Sequence, residues 1–143
     1  MMLTLKGRYA VMAMLELAHI AKDENKPVSL LKLSKMQNIS VKYLEQIFCK
    51  LKKAGLVKAV KGPGGGYVLE NNLDKINIAN IFDAVSENIK MTRCTGIKTG
   101  CMHNNTKCKT HYLWQGLGDQ IRNYFTDISV ADLINNPTQK FAR

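Results

Sequence analysis

The sequence predicts a mainly α-helical fold with one small β-hairpin. Two kinds of pattern point there: apolar residues recurring at helical spacing behind polar capping residues, and two short β-rich runs either side of a glycine-rich stretch. With 45% hydrophobic residues and only three prolines in 143 positions, the chain has enough apolar material to bury a core.

From Lys6 to about Lys22, the positions Val11, Met14, Leu15 and Ala18 fall at i, i+3, i+4 and i+7, so one helical face is apolar. Asp23-Glu24-Asn25-Lys26-Pro27 is a polar break. Ser29 then caps a short helix through Met36 that turns Leu30, Leu31 and Leu33 inward. Gln37-Asn38-Ile39 is a tight turn, and Ser40 caps a helix from Val41 to Ala54 that stops at Gly55. Its stripe is Leu44, Ile47, Phe48 and Leu51. Two helices joined by such a turn form a helix-turn-helix.

Leu56 to Val60 and Tyr67-Val68-Leu69 flank Lys61-Gly62-Pro63-Gly64-Gly65-Gly66, which reads as a hairpin wing. Ile78, Ile81, Phe82 and Val85 mark a further helix. Residues Met91 to Thr110 hold three cysteines and almost no core-forming pattern, so something other than packing organises this loop. A long helix follows from Thr110 to Thr126, with Leu113, Trp114, Leu117, Ile121 and Phe125 along one side. Ser129-Val130-Ala131-Asp132 opens a short terminal helix with a capping box. The expected architecture is a winged helix-turn-helix with a long C-terminal dimerisation helix. Its parts are a DNA-binding domain (1–70), a connecting helix (71–90), a metal- or cluster-binding loop (91–111), the dimerisation helix and short terminal helix (112–136), and a flexible tail (137–143).

Charge directs the functional reading. The net charge is +10, and between Lys32 and Lys61 eight lysines face a single acid, Glu45. A concentration of +7 in about one fifth of the chain points to nucleic acid, where scattered lysines would only solvate a surface. The longest apolar run, Tyr9 to Leu15, is too short to span a bilayer. No membrane partner is expected, and in the cytoplasm the four cysteines are reduced thiols free for metal binding.

With its stripe facing inward, the Val41–Ala54 helix presents Lys42, Gln46, Cys49 and Lys53 outward. Ser40, Lys42, Tyr43, Glu45 and Gln46 occupy its first turns, where such helices meet base edges. Gln46 suits adenine, Glu45 accepts from cytosine, and lysine and hydroxyl groups hold phosphates. Glu45 reads equally well as a carboxylate balancing nearby lysines, and Tyr43 as an aromatic at the edge of the core. In the wing, Gly64 lets backbone come close to DNA while Lys61 reaches a phosphate or the minor groove. The tip matches neither nucleotide-binding glycine motif.

Cys94, Cys101 and Cys108 are separated by six residues each, and His111 lies three past Cys108. Thiolates plus imidazole suit an iron–sulfur cluster or zinc, and composition leaves the two about even. His103 is an alternative ligand to His111, which is favoured because the last helix would place it on one face with Cys108. Cys49 stands apart from this set. No histidine has a serine or carboxylate partner at motif spacing, so an enzyme is not expected.

Four stretches are recognisable together: Leu3-Thr4-Leu5-Lys6-Gly7-Arg8-Tyr9-Ala10-Val11, Ser40-Val41-Lys42-Tyr43-Leu44-Glu45-Gln46, Lys61-Gly62-Pro63-Gly64-Gly65-Gly66-Tyr67, and the Cys94/Cys101/Cys108/His111 set. In that order they closely resemble the IscR-type iron–sulfur cluster regulators, a bacterial family of winged helix-turn-helix transcription regulators. The resemblance covers nearly the whole chain. It implies a cytoplasmic homodimer on a palindromic double-stranded operator, paired through the helix bearing Leu113, Leu117 and Ile121. It implies one [2Fe–2S] cluster per chain on Cys94, Cys101, Cys108 and His111, and repression of cluster-assembly genes when the cluster is present. Lys42 and Lys61 stand where the family favours a small polar residue and an arginine, and each cysteine gap is longer by one. Rival readings are a nitric oxide or redox-responsive member of the family and a zinc-stapled structural DNA-binding protein.

Overall fold

A computed structural model describes residues 3–92 and 99–136. The elements run α1 (Leu5–Glu24), α2 (Leu30–Gln37), α3 (Val41–Lys53), β1 (Val57–Val60), β2 (Gly66–Leu69), a 3₁₀ turn (Leu73–Lys75), α4 (Ile78–Ala84), α5 (His111–Thr126) and α6 (Val130–Asn135). The predicted mainly helical architecture with one antiparallel hairpin is the one observed.

Local chemistry sets the boundaries. Ser29 accepts the Lys32 N–H and Ser40 the Tyr43 N–H, both at 3.2 Å, satisfying amides that a helix start leaves unpaired. Asn25 and Asn38 end α1 and α2 at φ 47° and 53°, a left-handed conformation that asparagine tolerates better than most residues. Asn38 therefore makes the tight turn between α2 and α3.

The stripe Leu44, Ile47, Phe48 and Leu51 is wholly buried and meets Ala10, Met14 and Leu17 of α1 and Leu33 of α2 in one core. Burying each large side chain stabilises the fold by about 1.5–3 kcal/mol. Leu31 departs from the expectation: it is 55% exposed, because α2 has two turns and only Leu33 is fully covered. The end of the chain also enters this core. Ile78 N–H donates to Ile128 O and Val130 N–H to Ile76 O, so Ile128 and Val130 join the same cluster and α6 packs on α1.

α5 behaves differently. Its one buried residue is His111, while Tyr112, Leu113, Leu117 and Tyr124 are exposed, Leu113 by 62%. Its attachment is to α4: the Phe82 and Phe125 rings meet edge to face at 4.8 Å, and the Arg122 guanidinium donates to both carboxylate oxygens of Asp83 at 2.6 and 2.5 Å.

Candidate DNA-reading face and metal-ligand loop

The candidate reading face is built by α3. Lys42, Glu45, Gln46, Cys49, Lys50 and Lys53 line one side of it, opposite the buried stripe, and Ser40, Lys42, Glu45, Gln46 and Cys49 are exposed. Tyr43 is half-buried, with its ring edge-on to Tyr9 at 5.7 Å, so its aromatic body belongs to the core margin.

The wing is held to the head by backbone. Val28 and Tyr67 exchange hydrogen bonds of 3.0 and 2.8 Å, an added rung beside the Val57↔Leu69 to Val60↔Gly66 ladder. The Tyr67 ring also packs 4.8 Å from Phe48. At Gly66 (φ +155°) a Cβ would lie 2.3 Å from the Val28 carbonyl oxygen, so only glycine admits this approach. Lys61 and Gly64 are exposed at the tip, with Gly64 at φ +71°.

In the loop, Gly100 N–H donates to Asn105 O and Met102 N–H to Thr106 O, folding the chain between Cys101 and Cys108 back on itself. This turn brings the Cys101 thiol into hydrogen-bonding range of Cys108. The Thr110 hydroxyl, 3.5 Å from Cys108 Sγ, lowers that thiol's pKa most and the Thr110 N–H lowers it further; with a lesser contribution from Cys101 they outweigh the opposing effect of burial. Sequence reasoning missed Thr110 as a thiolate stabiliser.

His111 is 6% exposed, and its Nδ1 is buried without a hydrogen-bond partner. Sharing a helical face with Cys108 was expected, but α5 begins at His111, so Cys108 sits one turn earlier and accepts the His111 N–H at its carbonyl, 3.0 Å away. Cys94 lies outside the described residues. Among the described residues no three His, Cys, Asp or Glu side chains converge as a metal site. Two adjacent thiols, one favouring thiolate, and an unsatisfied buried imidazole nitrogen nonetheless fit a soft metal. His103 is exposed in the loop. No helix among the described residues is long and apolar enough to cross a membrane.

A helix-turn-helix, a pinned wing and a lysine-lined second helix define a DNA-binding transcription regulator. The chain belongs to the Rrf2 family of iron-dependent transcriptional regulators, whose profile matches residues 3–136. It is 50% identical over 134 residues to ORF2 of Azotobacter vinelandii, assigned to the helix-turn-helix transcriptional regulators, covering 94% of this chain and 79% of that one. It is 46% identical over 136 residues to the regulator IscR of Cronobacter sakazakii, covering 95% and 82%. Among solved structures, CymR, the global cysteine regulator of B. subtilis, superposes with a TM-score of 0.75 at 30% identity, covering 94% of this chain and 96% of that one. T. potens IscR gives 0.74 at 28%, covering 96% and 88%. These relatives are regulators, not enzymes.

Proposed function

We propose that this chain is a cytoplasmic bacterial repressor that senses iron–sulfur supply through a [2Fe–2S] cluster on Cys94, Cys101, Cys108 and His111 and controls cluster-assembly genes. The observation that carries this reading is His111: a buried Nδ1 without a partner costs stability unless something binds it, and it stands one turn from a thiol biased toward thiolate. When bound, the cluster supplies metal–ligand bonds and a one-electron couple. Cys101 and Cys108 would anchor it to the folded loop, and His111 would anchor it to the first turn of α5. The Asp83–Arg122 pair and the Phe82–Phe125 contact carry the setting of α5 to α4 and the head.

Two copies pair through Leu113, Leu117 and Ile121, setting two α3 helices about 34–36 Å apart over a palindromic duplex. Ser40, Lys42, Tyr43, Glu45 and Gln46 face the major groove, with Lys61 and Gly64 on the adjacent backbone or minor groove. The similarity to IscR over nearly the whole chain supports both parts.

Anaerobic purification tests the cofactor: a brown protein with equimolar iron and sulfide is expected, whereas a colourless protein with one zinc per chain favours the structural-staple reading. Duplexes selected from a random pool by cluster-loaded and by apo protein then test the switch. Equal affinities of both forms for every selected duplex would remove it.

A further inference from the structure

Glu87 has no part in reading DNA or in the ligand set, yet it is 8% exposed and heavily bonded. Its Oε1 accepts the Thr4 N–H at 3.0 Å, and its Oε2 accepts the Gly7 N–H at 2.9 Å and a short hydrogen bond from the Thr4 hydroxyl. These donors are the opening amides of α1, so the carboxylate closes that helix from 80 or more residues away. Gly7 makes the contact possible: a Cβ there would lie 2.5–2.8 Å from the Glu87 carboxyl group. Behind Glu87 the chain is turned sharply by Ser86 at φ +57°, and the Glu87 N–H donates to Phe82 O at 2.8 Å. Ahead of it, the loop carrying the ligand cysteines begins at Met91.

The other end of the contact leads to the reading helix. Tyr9 lies two residues past Gly7 on α1, and its ring meets that of Tyr43 in the first turn of α3. From the base of the loop to the DNA-reading turn the path is therefore Glu87, the Thr4–Gly7 turn, Tyr9 and Tyr43.

We propose that Glu87 is a positioning residue that couples the ligand loop to α3, so that cluster binding shifts the start of α1 and, through Tyr9, the presentation of Tyr43 and its neighbours. The coupling rests on the cluster-sensing reading above, and it has a route that does not pass through α5 or a partner copy. A carboxylate bridging two elements suits this task, because three donors to one group give a single preferred setting that a displaced loop must break together.

The test compares loaded and apo protein on the selected duplexes for wild type, Glu87→Gln, Tyr9→Leu and Ser129→Ala. Glu87→Gln keeps the size but turns an amide N–H2 toward donors that need an acceptor. Tyr9→Leu cuts the path at its far end and leaves Glu87 intact. Ser129→Ala removes the α6 cap, destabilising the head without touching the path. Wild type is expected to show a loaded-to-apo affinity ratio of about tenfold or more. Glu87→Gln and Tyr9→Leu should each bring that ratio below about threefold, with cluster content retained, while Ser129→Ala keeps the wild-type ratio at a reduced Tm. If both path variants keep the wild-type ratio and merely lower Tm as Ser129→Ala does, Glu87 is structural and the coupling is refuted. A wild-type ratio of one on every duplex instead removes the switch itself, and the coupling with it.

Discussion

Two single residues carry more than their size suggests. At Glu87, burial alone pushes the carboxyl upward, but the hydrogen bonds from Thr4 and Gly7 and the nearby Lys6 charge outweigh it and hold the pKa below the ordinary value of about 4.3. A carboxylate whose pKa is depressed by folding stabilises the protein above its unfolded value and loses that contribution as pH falls through the folded value. Apo protein should therefore lose Tm as pH falls below about 4.3, and Glu87→Gln should start lower at pH 7 and show a shallower acid limb; parallel limbs would place the titration elsewhere. At Gly66 the constraint is steric. Gly66→Ala must push the wing off the Val28 carbonyl, at a cost of about 1–3 kcal/mol in thermal unfolding, and should weaken binding to every duplex because the Lys61 tip moves with it.

At the scale of elements, α5 is the informative one. Its Leu113 and Leu117 side chains are exposed while its attachment to α4 rests on Phe125 and Arg122, so the helix is seated without those leucines being covered. Leu113→Glu with Leu117→Glu should give a folded 16.1 kDa monomer by sedimentation, with far-UV helicity kept and operator affinity lost; a persistent dimer would put the pairing surface elsewhere. Most elements could be read from local signals. Ser29, Ser40 and Ser129 each act as the caps their positions announced, and Gly55 ends α3 at φ +73°. Hidden features depend on distant partners. Leucine spacing predicts Leu31 inward, but α1 and α3 cover too narrow a face of the short α2 helix to reach it. Gly7 stood inside a recognisable motif, but its reason is a carboxylate 80 positions later, which no local pattern shows. The Cys101–Cys108 approach likewise depends on Gly100, where a Cβ would lie 1.6 Å from the Thr106 carbonyl oxygen.

For the whole molecule, the charge distribution separates holding DNA from reading it. The lysine-rich segment between Lys32 and Lys61 folds into α2, α3 and β1, so its charge is carried by the head and not by α5. Each lysine that neutralises a phosphate releases counterions, and log K falls with log salt at about 0.9 per contact on B-form DNA. Lys61 stands exposed at the wing tip, outside α3, and in the proposed dimer it would contact a phosphate once in each copy. Lys61→Ala should therefore reduce the salt slope of the dimer by about two, measured by fluorescence anisotropy between roughly 50 and 200 mM KCl, and weaken all duplexes alike. Gln46→Ala, on the exposed side of α3, should leave that slope alone and cost about 1–3 kcal/mol only on duplexes carrying its preferred base. An unchanged slope in Lys61→Ala would take the wing off the phosphate backbone. A uniform loss in Gln46→Ala would mean that α3 grips the duplex without reading it.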